Sequence, residues 1–327
     1  MRVAAIDIGT VTCRLLIADV DGSLRHAVPV VRRAEITDLG EGVDASGMLS
    51  PEAIDRTVAQ VAEYKRCIDA YRNTETPVRA VVAVATSASR DAANAGDFVS
   101  RLSELGVELT VIDGQREAEL SFAGAADDFP DEDILVTDIG GGSTEVIFGT
   151  AHAACAPGDA GCLAASGPSV TLGNRISFNV GCRRMTERFL RSDPPSVDEL
   201  ARARAWVREE MAPFFANLPA AQRLVAVAGT ATTAVSIRER MAEYDPDRVH
   251  GACVTRDELQ SIFLRLASMP LEERKGVVGL QPQRASVIVA GFVILDAVLE
   301  LSGHSSFTVS EHDILQGLVL DAVSKAC

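Results

Sequence analysis

The sequence predicts an α/β protein built as two halves, each a mixed sheet flanked by helices. Three observations carry that prediction. Across the 327 residues, short apolar runs that read as buried strands alternate with stretches whose apolar residues recur at helical spacing. The composition is 47% hydrophobic but only 5% aromatic, which implies a core of Ala, Val, Leu and Ile. One device also occurs twice. Val3-Ala4-Ala5-Ile6-Asp7-Ile8-Gly9-Thr10 and Ile134-Leu135-Val136-Thr137-Asp138-Ile139-Gly140-Gly141-Gly142-Ser143 are each an apolar strand closed by aspartate, glycine and a hydroxyl residue.

Taken in order, Val3–Asp7, Arg14–Val20 and Ala27–Arg33 read as strands, the last two joined by the turn Asp21-Gly22-Ser23. Ser50-Pro51-Glu52 opens a helix, with serine as N-cap and proline first, and Ile54, Val58 and Val61 on its apolar stripe. Val78–Ala85 is a central strand, Phe98–Leu105 a helix and Val107–Ile112 a short strand. Asp113 caps a helix carrying Glu117, Leu120 and Ser121. The acidic stretch from Ala126 to Asp133 is the candidate boundary between the halves. The second half restarts with the strand Ile134–Asp138 and a returning strand Thr144–Phe148, followed by an aperiodic loop, Ala151–Pro168.

Val180–Leu190 begins a helical stretch, and Ser196-Val197-Asp198-Glu199 is a capping box opening another. Leu224–Ala228 is a strand running into Gly229-Thr230, and Thr255-Arg256-Asp257-Glu258 is a second capping box. Ala285–Leu301 is a long apolar helix, Phe307–Val309 a short strand, and Ser310-Glu311-His312-Asp313 caps a final helix.

The repeated turn has a specific chemistry. Glycines let backbone N–H groups close on an anion without a Cβ in the way, and the hydroxyl adds a donor. The aspartate offers a hard oxygen to the Mg²⁺ that accompanies phosphates. Two copies point to two similar halves facing one phosphate-binding cleft.

Composition excludes other classes. The apolar N-terminus is broken by Asp7, Arg14 and Asp19 and lacks a basic start, so it reads as neither signal peptide nor membrane span. Seven cysteines with no C-x-x-C pair form no recognisable zinc or redox motif, and reduced cytoplasmic thiols are the expectation. A net charge of −15 argues against a nucleic-acid partner. It also requires that an enzyme for polyanions gather its cations at the cleft. The candidate clusters are Arg32-Arg33, Arg183-Arg184 with Arg188, and Arg202 with Arg204 and Arg208.

The full series of motifs resembles the exopolyphosphatase and guanosine pentaphosphate phosphohydrolase (Ppx/GppA) family, a branch of the actin, sugar-kinase and heat-shock chaperone superfamily. The matching pieces are Asp7-Ile8-Gly9-Thr10, Ala85-Thr86-Ser87-Ala88-Ser89-Arg90-Asp91-Ala92, Asp113-Gly114-Gln115-Arg116-Glu117-Ala118-Glu119-Leu120, and Asp138 to Glu145. Ala228-Gly229-Thr230, His250-Gly251, Gln281-Pro282-Gln283-Arg284-Ala285 and Ser310-Glu311-His312-Asp313-Ile314-Leu315 follow in order. The resemblance implies a two-domain actin-like (ribonuclease H-like) ATPase fold and a Mg²⁺-dependent phosphoric anhydride hydrolase. It implies Glu117 as the base that activates water. Asp7, Asp138 and Glu145 would be the Mg²⁺ residues, and Thr10, Arg90, Gly140, Gly141, Gly142, Ser143, Gly229 and Thr230 the phosphate contacts. It further implies a homodimer, and two actin-like domains, 1–125 with about 310–327 and 126–309, with the active site in the cleft between them.

Three departures from the family pattern stand out. Val11-Thr12 replaces the usual Asn-Ser after the first turn, Arg116 replaces a glutamate before the base, and the 151–168 loop is long. The chain also lacks the long form's C-terminal helical domains, which implies short polyphosphate chains as substrate. The leading reading is an exopolyphosphatase acting on the end of linear polyphosphate. A guanosine pentaphosphate 5′-phosphohydrolase is the alternative, and an ATP-binding kinase or a non-catalytic phosphate sensor is the third.

Overall fold

Apolar strands need partners on both edges, and here they find them in two separate sheets. The computed structural model describes residues 1–20, 27–152 and 169–326. The first sheet holds β1 (Arg2–Ile8), β2 (Thr12–Val20), β3 (Ala27–Ile36), β4 (Val78–Ala85) and β5 (Leu109–Val111), in the order β3-β2-β1-β4-β5. The second holds β6 (Asp133–Ile139), β7 (Thr144–His152), β8 (Ser169–Phe178), β9 (Arg223–Val227), β10 (Cys253–Thr255) and β11 (Ser306–Val309), in the order β10-β11-β9-β6-β7-β8.

The sheets repeat one topology. In each, the leading strand pairs antiparallel with the next and parallel with a later one: β1 with β2 and β4, β6 with β7 and β9. The duplicated sequence device therefore corresponds to a duplicated piece of sheet. Both leading strands are buried along nearly their whole length, which is why they read as continuous apolar runs rather than as alternation.

The longer helices are α1 (Pro51–Asp69), α2 (Ala95–Glu104), α3 (Gly114–Ala126), α4 (Cys182–Phe189), α5 (Val197–Phe215), α6 (Ala228–Arg238), α7 (Arg256–Ala267), α8 (Ile288–Ser302) and α9 (Ile314–Ala326). Ser50 caps α1 by accepting the Ala53 N–H, and complete capping boxes open α5 and α7. At α9 it is Asp313, not Ser310, whose side chain takes a first-turn N–H, that of Leu315, at 2.9 Å. Helix α8 is buried on all faces as the centre of the second half's core. Helix α9 crosses back from the second sheet to pack on α3, β1 and β2.

Two expectations need correction. The returning strand runs to His152 rather than Phe148, so Ala151 and His152 belong to β7; the rest of the expected loop, with Cys155 and Cys162, lies outside the described residues, as do Asp21-Gly22-Ser23 and Cys327. Strand β8 has no counterpart in the sequence reading. Its alternation of Val170, Leu172, Ile176 and Phe178 is a period-2 signal overshadowed by the aperiodic stretch before it. Among the described residues, no helix is long and apolar enough to cross a membrane.

Candidate active site

The two repeated turns close in the same way. The Gly9 N–H donates to Thr12 O at 2.9 Å, and the Gly140 N–H donates to Ser143 O at 3.0 Å. They also interlock. A Cβ on Gly141 would lie 2.6 Å from Val11 Cγ2 and 2.8 Å from Thr10 Cβ, and one on Gly142 would lie 2.8 Å from Thr10 Oγ1. Only glycine permits that approach. Val11, which stands where the family pattern has a polar residue, is buried against the second half's core, and its carbonyl accepts the Thr37 and Asp38 N–H groups. Val11 thus supplies apolar packing between the turns.

The aspartates that close the two leading strands occupy equivalent places but face opposite charges. In the ladder Asp7 lies across from Arg14, whereas Asp138 lies across from Glu145. Arg14 donates to Asp7 Oδ2 from Nε at 2.9 Å and Nη2 at 2.7 Å, and its Nη1 also grips Asp313. Asp7 Oδ1 is buried with no hydrogen-bond partner among the described residues. Asp138 accepts the Ser121 hydroxyl at 3.0 Å, and burial pushes its carboxyl up to about 6 against the pull of Arg14. Glu145 accepts from Ser177 Oγ at 2.7 Å; burial, then the Glu117 and Asp138 charges, hold it well above the usual carboxylate range.

Glu117 sits one turn into α3, whose N-cap Asp113 accepts the Arg116 N–H at 2.8 Å. It is buried, and its Oε2 accepts from Arg90 Nη1 at 3.1 Å, while the same nitrogen donates to Ile112 O. Burial pushes the Glu117 carboxyl up to about 8; Arg90 opposes the shift, and Asp138 and Asp7 add to it. Arg116 does not stand beside Glu117 as its neighbouring position in sequence promised. It turns away to Asp321 at 2.6 Å and Glu119 at 3.4 Å.

These groups open onto a cavity of about 700 Å³ between the sheets. Asp7, Thr10, Glu117, Asp138, Gly140, Gly141, Gly142, Ser143 and Gly229 line it; Arg90, Glu145 and Thr230 are not part of its lining. Ala228 adopts φ 63, a strained conformation for a residue with a Cβ, to start α6 at the cavity's edge. A Cβ on Gly229 would fall 2.1 Å from Arg284 Nη1. The half-buried Arg284 side chain has no hydrogen-bond or ion-pair partner among the described residues and lines the same cavity. An unpaired guanidinium in a pocket of carboxylates and glycines calls for an anion.

The expected arginine clusters divide. Arg32 lines the cavity but is held by Glu311 at 2.5 Å, and Arg33 lines it too. Arg183, Arg184 and Arg188 are committed to acids of the first half: Arg183 to Asp38, Arg184 to Asp44 and Asp91, Arg188 to Asp44. Arg204 pairs with Asp296 at 2.9 Å and Arg208 with Glu300 at 2.7 Å, away from the cavity. Sequence reasoning missed Arg14, Ser121, Arg284 and Asp313 as site residues. Arg14 carried a signal, being a cation near the start of a mostly apolar strand.

The fold and the cleft define the class first: two mixed sheets flanked by helices, in the actin-like ATPase arrangement, with a glycine-rich acidic site between them. The chain belongs to the Ppx/GppA phosphatase family, whose model matches residues 16–326. Exopolyphosphatase 2 of Mycobacterium tuberculosis is 36% identical over 335 residues, covering 98% of each chain. The crystal structure of the Aquifex aeolicus family member superposes with a TM-score of 0.78 at 31% identity, covering 100% of this chain and 98% of that one. An exopolyphosphatase-like protein of known structure reaches a TM-score of 0.85 at 33% identity, with both chains fully covered.

Proposed function

We propose that this chain is an exopolyphosphatase that releases the terminal phosphate of linear, short-chain inorganic polyphosphate. The observation that carries the reading is Glu117, a buried carboxylate fixed by Arg90 and opening onto the glycine-turn cavity. The phosphate chain lies along the cavity wall that the interlocked turns form, which Thr10, Gly140, Gly141, Gly142 and Ser143 line. Glu117 takes a proton from a water, whose oxygen bonds to the terminal phosphorus as the bridging P–O bond breaks. The shortened chain leaves with the bridging oxygen. Arg90 is a positioning residue, because it touches Glu117 rather than lining the cavity.

The donor set fits Mg²⁺. Asp7 Oδ1 is buried and unpartnered among the described residues, and Asp138 shares the cavity, so hard carboxylate oxygens are available on both sides of the cleft. Glu145 would support Asp138 from behind. Bound Mg²⁺ supplies positive charge to the phosphate oxygens and favours the ionised form of the carboxylates near it.

Glu117 acts only when ionised. Its raised pKa places the acid limb of kcat/KM well above 4.5, with activity rising toward pH 8 and levelling beyond it. The sensitive experiment compares phosphate release from short polyphosphate, long polyphosphate, guanosine pentaphosphate and ATP, across pH and with MgCl₂ or EDTA. No release from any of them in MgCl₂ overturns the reading. Arg284→Ala is expected to raise KM about tenfold with little change in kcat, since it removes an anion contact remote from Glu117; an unchanged KM removes Arg284 from the binding surface.

A second reading, the guanosine pentaphosphate phosphohydrolase, is favoured by one feature. The far wall of the cavity carries Met241, Tyr244, Pro246 and Leu280, an apolar surface for which a purely inorganic chain has no use. The same substrate comparison decides between them.

A further inference from the structure

The chain passes from the first sheet to the second at residues 127–132 and returns at 310–313. Both crossings place a metal-ligating side chain at one point, and a third comes from the second half. Asp128 lies on the outward crossing, His312 on the return, and His250 follows the turn Pro246–Val249. Among the described residues, this is the one group of three His, Cys, Asp or Glu side chains whose ligand atoms all lie within 4.8 Å of each other. The cleft carboxylates Asp7, Asp138 and Glu145 do not form such a group.

The spacing differs from that of a finished hydrogen-bond network. His312 Nδ1 lies 2.8 Å from Asp128 Oδ2, but His250 Nε2 faces the same oxygen from 3.6 Å, too far for a hydrogen bond. Two ligands of one tetrahedral ion with bonds of about 2.1 Å stand about 3.4 Å apart. His250 and Asp128 already have that separation, and His312 needs to withdraw by only about 0.6 Å. Two imidazoles and one carboxylate suit Zn²⁺, Co²⁺ or Fe²⁺ rather than Mg²⁺, which prefers oxygen donors throughout. All three side chains are half-buried, so an ion has both shelter and an entry path.

We propose that Asp128, His250 and His312 form a transition-metal site of the Zn²⁺ class where the two crossings meet. It is separate from the Mg²⁺ expected in the cleft. Binding forms one metal–oxygen and two metal–nitrogen bonds, and each imidazole keeps one proton by moving it, through solvent, to its other nitrogen. His312 Nε2 has no hydrogen-bond partner among the described residues and receives a proton freely. His250 Nδ1 accepts the Glu311 N–H at 3.2 Å, so its protonation on metal binding displaces that amide. Glu311 in turn holds Arg32 and Tyr244 with its carboxylate at the cavity wall. The ion therefore acts on the cleft as well as on the crossing.

The test titrates the intact chain with ZnCl₂ and CoCl₂ in excess MgCl₂, by calorimetry and by the visible absorption of Co²⁺. One tight site per chain is expected. His250→Gln and His312→Gln should each weaken it at least tenfold, and Asp138→Asn should leave it unchanged. The histidine variants must match the wild type in far-ultraviolet circular dichroism without metal. Should they fail to fold, the wild-type chain still answers, because imidazole ligation to Co²⁺ shifts histidine ring N–H protons far outside the normal proton range. No saturable uptake, uptake undiminished in the folded histidine variants, uptake lost in Asp138→Asn, or an absence of shifted ring protons overturns the proposal.

Discussion

Glu117→Gln is expected to lower phosphate release by roughly 10²–10⁴-fold while leaving substrate affinity within a few-fold, as loss of a general base does. Glutamine keeps the size of the side chain and its acceptor toward Arg90, but it cannot take a proton from water. The same change should make the protein more stable at alkaline pH. The Glu117 carboxyl has a folded pKa near 8, above its ordinary value of 4.5. Between those values the folded state binds more protons than the unfolded one, so the wild type loses stability as pH rises through that window. The variant lacks that loss, and its melting temperature should exceed the wild type's by a few degrees at pH 8 and match it near pH 4. Undiminished phosphate release in Glu117→Gln would assign the base elsewhere, and a pH-independent difference in melting would contradict the electrostatic account of the site.

Gly124→Ala is expected to destabilise the fold by about 3 kcal/mol or more, at the upper end of overpacking effects. Helices α3 and α9 cross so closely that a Cβ on Gly124 would lie 1.9 Å from Asp313 O, and one on Gly317 would lie 2.0 Å from Leu120 O. Backbone cannot step aside as a flexible side-chain tip does. The affected helix carries Glu117, and the affected carbonyl belongs to the residue gripped by Arg14, so activity should fall along with stability. Gly96 supplies the contrast. It lies in α2 with open space where a Cβ would go, and Gly96→Ala should stabilise by about 0.5–1 kcal/mol through helix propensity alone. Urea denaturation of both variants checks the pair; equal effects would mean that the α3–α9 crossing relaxes far more easily than its geometry implies.

Much of this architecture was legible in the sequence because the signals were local. Asp7 and Asp138 each end an apolar strand, and capping residues such as Ser50, Ser196 and Thr255 announce helices from three or four neighbouring positions. Glu117 was legible through its place after Asp113 at a helix start, together with the family resemblance. Pairing across the fold was not legible. Nothing near Arg184 announces that Asp44 and Asp91 will consume its charge, and nothing near Arg284 announces that its guanidinium will have no ion-pair partner among the described residues. Arg116 shows the same limit from the other side. Adjacent positions on a helix diverge by about 100°, so a neighbour in sequence became a partner of α9 instead of Glu117. The convergence of Asp128, His250 and His312 from three distant segments belongs to the same class of information.

The interlocked turns have a mechanical consequence. Thr10 and Val11 fill the space left by Gly141 and Gly142, with no slack for sliding. Translation of one half along the other would drive side chains into backbone, while rotation about the contact leaves it intact. The contact thus resists sliding more than turning: a cleft that opened about it would carry the walls bearing Tyr244 and Arg284 through the larger arc and would first have to release the ion pairs of Arg183 and Arg184 with the first half.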